Sequence, residues 1–437
     1  MNGTTRVAQA WDTLRTSFGF LPAIAIAVAI AAAIALPVLD RDLGVDVPAL
    51  SFDGRDSVRS LLETIATATV SVAGLSFSVT VVAFTLASQQ LSPRVLRSFR
   101  SDRLSQATLA LLLGTFVYCL VLLVRLGISA QSAEPPNMSA TVAVIAGVAS
   151  FGLFTLFVAH IVQMLQPSSV IAAIHDDAQG VLGRSLETGD RDEDDIDVAE
   201  AVEKARDGRG LTFAVSCDSH GYLTAIDAET TAAGADTADA LVEQVVGVGR
   251  WVLPQQRVAV VRVAEGTGAA DREAIRDAVR RSFRFAKQRT MVQDIGFPIR
   301  QLADIALKAL SPGVNDPTTA QNAMEELTTI LVEFARGGRR PEVVFGDEGR
   351  PRLILMRPSL GELTRDGFDA VRLGCGQQPQ LTLRLVELLG HLREVAADEG
   401  LDVEEIERQR RLLIDGIGCE GPTEREVDAY RRLAENR

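Results

Sequence analysis

The sequence predicts an α-helical membrane domain of about four transmembrane helices, followed by an α+β soluble domain with a small β-rich module. Two observations predict this class. Residues 18–165 contain nearly all the long apolar runs, whereas residues 166–437 contain most of the charged side chains. Four of the runs are long enough to cross a bilayer, which takes roughly 20 apolar residues. The charged part mixes short β-like runs with amphipathic helical patterns, as is typical of an α+β domain.

The membrane domain is predicted over residues 1–165, with spans near residues 18–39, 62–87, 107–128 and 140–165. The first run is interpreted as a retained helix rather than a signal peptide. Its apolar core is too long for a signal peptide, and no convincing small-residue cleavage site follows it. The loop after the second run carries four arginines, whereas the loop after the third carries none. Because cytoplasmic loops are enriched in Arg and Lys, both termini are predicted to be cytoplasmic.

The second run is unusually polar for a lipid-facing helix. On a helix of about 100° per residue, one stripe carries hydroxyl and amide side chains, and the opposite side carries mostly small residues. The stripe is compatible with two arrangements: close packing between helices, or a water-lined path. The pore-lining candidates are Thr67, Ser71, Ser78, Thr85 and Gln89.

The soluble part divides into four predicted segments. A helix and an acidic linker occupy 166–206, and a β-rich module occupies 207–266. In that module LTFAVSC, GYLTAID and RWVLPQQRVAVVRV are predicted strands, and ADALVEQVVGVG is a predicted short helix. A helical hairpin region follows at 267–340, with Asp316 as N-cap and Pro317 at the first helical position. Residues 341–437 are mostly helical, with one strand (RLILMRP) and helices near 360–372, 380–398, 403–417 and 423–436.

Composition and motifs argue against several functional classes. A net charge of −13 disfavours a nucleic-acid partner, which needs a positive surface. The four cysteines form no CxxC pair, so neither a metal site nor a disulfide framework is predicted. No GxSxG, Walker or HExxH motif occurs in the sequence. We therefore expect a protein that is not an enzyme, with no catalytic residues and no cofactor.

Three longer motifs carry a resemblance to a known family. The segments FSVTVVAFTLASQQLSPRVLRSF, GYLTAID and RTMVQDIGFPIRQLADIALKALSPGVNDPTTA resemble the bacterial predicted-membrane-protein family DUF2254. The resemblance covers most of the chain and implies the four-span architecture. The sequence departs from the family pattern at Val314 and Thr318, where isoleucine and an aromatic residue are common.

The resemblance also marks polar residues around the predicted hairpin. These motif candidates are Arg289, Gln293, Asp294, Arg300, Asn315 and Asp316. One interpretation is a polar site for an ion or small anion. The other is a helix corner fixed by capping and ion pairs, which is favoured because it explains Gly313, Asp316 and Pro317 without a ligand. It explains Gln293, Asp294 and Arg300 less well.

These observations predict a homo-oligomeric channel or pore-like protein of the bacterial inner membrane, with a cytoplasmic regulatory domain. Its expected partners are the lipid bilayer and further copies of the chain. The alternative is a membrane-anchored ligand-sensing or scaffold protein without conduction. The two hypotheses differ in what the polar stripe of the second span contacts.

Overall fold

The structure is a computed structural model. It describes residues 19–43, 54–90, 102–128, 137–187, 198–207, 209–337, 343–346, 349–375, 378–416 and 432. The chain forms two compact units, Met1–Val170 and Ile171–Arg437.

The first unit contains four long apolar helices, as the sequence predicts. They are α1 (Phe20–Leu43), α2 (Arg55–Gln90), α3 (Arg103–Ile128) and α4 (Asn137–Met164). All four are long and apolar enough to cross a bilayer. Helix α2 begins before its apolar run. Its first turns are polar, and an i,i+4 ion pair between Arg59 and Glu63 at 2.9 Å stabilises them.

Helix α3 is the central helix of this unit. Half of its most apolar stretch is buried, against 22% or less in the other three helices. Its buried side chains pack with residues of α1, α2 and α4 around Leu62, Tyr118 and Leu122. Two polar contacts join α3 to α4: Tyr118 Oη donates to the Ser139 carbonyl at 3.0 Å, and the Thr115 and Ser150 hydroxyls lie 3.2 Å apart.

The second unit is α+β. In chain order its elements are α5 (Pro167–Glu187, which begins just before the unit), α6 (Val198–Asp207), β1 (Leu211–Ser216), β2 (Gly221–Ile226), α7 (Ala228–Thr237), β3 (Leu241–Gln244), β4 (Trp251–Val252), β5 (Arg257–Val263), α8 (Ala269–Ser282), β6 (Phe283–Ala286), α9 (Gly296–Ala309), α10 (Pro317–Arg336), β7 (Val343–Phe345), β8 (Pro351–Ile354), α11 (Leu360–Cys375), α12 (Pro379–Asp398) and α13 (Glu404–Gly416).

Two sheets share one apolar core. The larger has the strand order β1-β5-β3-β8-β7, and the smaller has the order β4-β2-β6. All neighbours are antiparallel except β3 and β8, which are parallel. Strands β6, β7 and β8 come from outside 207–266, so the sheets extend beyond the predicted β-rich segment. The core between them includes Val215, Leu223, Val252 and Val261.

The predicted helix at ADALVEQVVGVG is wrong. A helix lies just upstream, where the Asp227 side chain accepts the Thr230 amide and begins α7. Helix α7 ends at Thr237, and Leu241–Gln244 form β3 between β5 and β8. Leu241 and Val242 are fully buried there. A short apolar run fits a buried strand or a buried helix equally, so periodicity alone misassigned it.

Two further boundaries differ from the sequence prediction. The predicted acidic linker contains helix α6, Val198–Asp207. The predicted helical region 267–340 also contains a strand: helix α8 ends at Ser282, and the next four residues form β6 because Phe283 and Phe285 pack into the core between the sheets.

The remaining helices form a layer of their own. Helices α9 and α10 make the predicted hairpin, and α11, α12 and α13 confirm the helices predicted near 360–372, 380–398 and 403–417. Side chains buried in these helices include Ile299, Leu327 and Phe368. The helix predicted near 423–436 lies outside the described residues.

Candidate functional site

The first candidate site is the outward face of α2. Thr67, Ser71, Ser78 and Thr85 are exposed on the surface of the first unit, as is Gly74 between them. At about 100° per residue these five positions lie within about 60° of one another. We call them the α2 stripe. The Gln89 side chain lies outside the described residues, so this candidate is not located.

Large apolar side chains flank the α2 stripe on both sides. Leu75 and Val82 lie on one side, and Val70, Phe77 and Phe84 lie on the other; all five are exposed. The opposite face of α2 is packed inside the unit, with Thr69 and Ser76 fully buried. The face that holds the helix in its own bundle is therefore the small-residue face, and the α2 stripe takes no part in that packing.

Several hydroxyls of α2 bond to their own helix. Ser71 Oγ donates to the Thr67 carbonyl at 2.7 Å, and Thr85 Oγ1 donates to the Val81 carbonyl at 2.8 Å. Such i−4 bonds satisfy the hydroxyl hydrogen without an external acceptor. The α2 stripe is thus chemically compatible with lipid, with another helix or with water. Which of these it contacts depends on where the stripe lies in the assembled protein.

The second candidate site is the motif around Arg289 and Asp294. Arg289 donates twice to the Asp294 carboxylate, from Nε at 2.7 Å and from a terminal nitrogen at 2.8 Å. The guanidinium also lies over the Phe297 ring, 5.3 Å from its centroid. Asp294 is buried. A buried carboxylate needs such a bidentate partner, because an unpaired charge there is strongly unfavourable.

Gly249 lies directly against this ion pair. Its φ of +85° is in the left-handed region, and a Cβ at this position would lie 2.3 Å from Asp294 Oδ2. Only glycine fits both conditions. The loop between β3 and β4 is therefore fixed against the carboxylate, which no short-range sequence pattern indicates.

Gln293 joins the same motif to β2. Its Oε1 accepts the Ile226 amide at 2.9 Å, and its Nε2 donates to the Ile226 carbonyl at 3.0 Å. The side chain thus replaces a strand partner for one residue of β2. A cavity of about 60 Å³ lies beside it, and residues lining it include Gln244, Gln293, Asp294, Met356 and Arg357. This is room for a few water molecules rather than for a metabolite.

The α9–α10 corner is built from different motif residues. Asp316 Oδ1 accepts the Thr319 amide at 3.1 Å, which confirms the predicted N-cap of α10. The Thr319 hydroxyl and amide lower the pKa of Asp316. Asn315 has a φ of +48°, a conformation that asparagine tolerates better than most residues, and its Oδ1 accepts Gln378 Nε2 at 3.3 Å. The Asp316 cap and the Asn315–Gln378 hydrogen bond both hold the backbone of the turn between α9 and α10.

The motif residues therefore serve three separate contacts. Arg289, Gln293 and Asp294 fasten the segment before α9 to the sheets, Arg300 pairs with Asp304 on α9 at 3.1 Å, and Asn315 with Asp316 shapes the corner. Sequence reasoning missed Gly249 and Gln378, the partners contributed from other parts of the chain. Among the described residues, no group of three His, Cys, Asp or Glu side chains is arranged to hold a metal ion.

Comparison with known proteins gives the family. The family described as "Predicted membrane protein (DUF2254)" matches residues 15–391, which include all four apolar helices, the α2 stripe and every motif candidate. The chain belongs to the DUF2254 family. The resemblance carried by the sequence motifs is thereby confirmed.

Relatives of this DUF2254 protein occur in mycobacteria. Uncharacterised proteins of Mycobacterium tuberculosis and Mycobacterium bovis are 24% identical to it over 393 residues. The alignments cover 89% of this chain and 74% of each relative. No solved structure matches the chain.

Proposed function

We propose that this DUF2254 protein is a homo-oligomeric channel or pore of the bacterial inner membrane, with Ile171–Arg437 as its cytoplasmic regulatory domain. The observation that carries the proposal is the direction of the α2 stripe. Hydroxyl and small side chains occupy the middle of an exposed helix face, and large apolar side chains occupy both edges. Small polar residues in the centre and large apolar residues at both edges are the arrangement expected of a helix that lines a ring of subunits.

In such a ring each part of the face has a distinct neighbour. The edges, with Leu75 and Val82 on one side and Phe77 and Phe84 on the other, pack against the adjacent subunits. The α2 stripe then faces the common axis, where hydroxyl groups line a polar path. Hydrocarbon offers no comparable role for a central row of Thr, Ser and Gly, because lipid tails gain little from small side chains.

A second candidate function is a membrane-anchored scaffold without conduction. The spacing Thr67-xxx-Ser71 and Gly74-xxx-Ser78 favours it, because small residues four apart allow two helices to approach closely. In that arrangement the α2 stripe is the contact between two copies and is dry. Both arrangements of α2 involve self-association, and they differ in whether water reaches the α2 stripe.

Cysteine accessibility distinguishes the two functions. In a variant lacking the four native cysteines, single cysteines replace Ser71, Ser78 or Thr85 in the α2 stripe. The matched controls replace Leu75 or Val82, which are 54% and 55% exposed in the single subunit. Full-length protein in sealed vesicles is treated on both sides with a membrane-impermeant thiol reagent. Thiolates form in water and not in hydrocarbon, so labelling reports contact with water.

The channel proposal predicts fast labelling at the three stripe positions and slow labelling at the two controls. Oxidative cross-linking of the same variants measures association. Cross-linked copies with uniformly slow labelling would favour the scaffold. Monomers that neither cross-link nor label at the α2 stripe would refute both the channel and the scaffold that self-associates through α2.

A further inference from the structure

The small sheet presents one exposed face among the described residues. Strand register places Tyr222 of β2 between Trp251 of β4 and Ala286 of β6. Side chains of the opposite face, including Leu223 and Val252, are buried in the core between the sheets. Successive residues of a strand alternate between faces, so Tyr222, Trp251 and Ala286 point outward.

Large apolar surface is exposed on this outer face. Trp251 is 42% exposed, and Leu253, two residues further along, is 58% exposed. The Trp251 ring is held rather than free. Tyr222 contacts it edge to face at 4.9 Å between centroids, and the His220 ring lies 5.7 Å away. We call Tyr222, Trp251, Leu253 and Arg284 the Trp251 face.

The surroundings of this face are basic. Arg284 lies on the same side of β6 as Ala286, and Arg250 and Lys287 are exposed at the adjoining chain positions. The neighbouring acid Asp218 is 3.7 Å from Arg280. Asp227, at the end of β2, caps α7 by accepting the Thr230 amide, and that hydrogen bond together with the nearby charge of Arg284 lowers the pKa of Asp227. Exposed cations thus outnumber the two acids beside this face, in a chain whose net charge is −13.

We propose that the Trp251 face docks on the surface of the lipid bilayer. Tyrosine and tryptophan rings favour the headgroup level of a membrane, where one end is apolar and the other wet. Leu253 adds apolar area beside them, and Arg284 on the same face attracts anionic headgroups. Trp251, Leu253 and the basic residues together match this boundary in both polarity and charge.

Chain connectivity keeps this unit close to a bilayer. The last apolar helix ends at Met164, and the second unit begins at Ile171. A membrane surface is therefore present at high local concentration, so that a modest face suffices for docking. The inference depends on anchoring of the chain in a membrane and is independent of whether the protein conducts ions.

The two tryptophans make the test specific. The chain contains Trp11 and Trp251 only, so the Trp11→Phe variant leaves Trp251 as the sole tryptophan. Full-length variant protein is reconstituted in vesicles of zwitterionic lipid, with or without added anionic lipid. Both vesicle compositions are prepared twice, once with lipids brominated near the headgroup end of the acyl chain and once with unbrominated lipids. Trp251 emission and its quenching by aqueous iodide are measured.

Docking predicts that Trp251 loses emission in the brominated vesicles and is protected from iodide, most strongly when anionic lipid is present. Adding Arg284→Gln should weaken lipid quenching in anionic vesicles and leave it unchanged in zwitterionic ones. A Val314→Ser change is the matched control, because Val314 is also 42% exposed but lies in the α9–α10 corner. It should leave quenching unchanged.

Two results would overturn the proposal. Equal emission with both lipids and full iodide quenching would place Trp251 in water. Protection from bromine and iodide together would show that protein covers the face, either a second copy or another part of the chain.

Discussion

Replacing Asp294 tests whether the Arg289 motif is structural. Asp294→Asn keeps the shape of the side chain and removes its charge, which leaves Arg289 without its bidentate partner. Removing one member of a buried ion pair costs about 3–5 kcal/mol. The Arg289 side chain retains 23% exposure, so water compensates part of the loss and we expect about 3 kcal/mol.

The predicted loss is measurable as a melting temperature. For domains of 150–250 residues a change of 1 kcal/mol shifts Tm by about 2–4 °C, so Asp294→Asn should lower Tm by roughly 6–12 °C. Thermal unfolding of the full-length protein in detergent, followed by Trp251 emission in the Trp11→Phe background, measures it. Asp277→Asn, at an exposed acid on α8, is the control and should shift Tm little.

A double variant sharpens this test. Arg289→Gln combined with Asp294→Asn removes both charges, and its Tm should recover part of the loss because the guanidinium that has lost the Asp294 carboxylate is removed as well. An unchanged Tm for Asp294→Asn would contradict the reasoning. The motif would then have to be considered as a site for a ligand.

Three further predictions concern other parts of the molecule. Asp316→Ala removes the N-cap of α10 and should cost about 0.5–2 kcal/mol in the same unfolding assay, with Thr318→Ala as a neighbouring control. Burial raises the pKa of Glu405, but hydrogen bonds from Arg408, Arg365 and Gln409 outweigh burial and lower the pKa from 4.5 to about 2. Arg365 and Arg408 are 54% and 40% exposed, so water screens these pairs and we expect about 1 kcal/mol of stability from the shift. That contribution is present above pH 4.5 and is lost as the pH falls toward 2. Glu405→Gln should remove this pH dependence, whereas Glu404→Gln at the exposed neighbour should not. Reporter fusions after residue 170 and near residue 133 should report opposite sides of the membrane, with the carboxy terminus in the cytoplasm; an extracellular signal after residue 170 would contradict the proposed orientation.

Local sequence signals predicted part of this fold correctly. Apolar length alone identifies the four long helices, because the bilayer thickness sets a minimum that few other structures require. Asp316 followed by Pro317 identifies the start of α10, because capping depends on residues adjacent in sequence.

The errors arose where long-range contacts decide the structure. Leu241–Gln244 is a strand because β5 and β8 lie on either side of it, and β8 is distant in sequence. The same applies to Gly249, whose requirement for glycine comes from Asp294. The periodicity of α2 identifies a polar stripe and a small-residue face, but only packing against the other helices shows which one points outward.

Ion flux through vesicles tests the proposed channel most directly. Full-length protein, shown by cross-linking to be assembled, is reconstituted in sealed vesicles, and flux is measured under potentials of both signs. We expect ion flux for the wild type and a strong reduction for Ser78→Phe in the α2 stripe, whereas Leu120→Phe on the exposed surface of α3 should leave flux unchanged. Absence of flux from the assembled wild-type protein at every potential, or flux that Ser78→Phe leaves unaffected, would contradict a pore lined by α2.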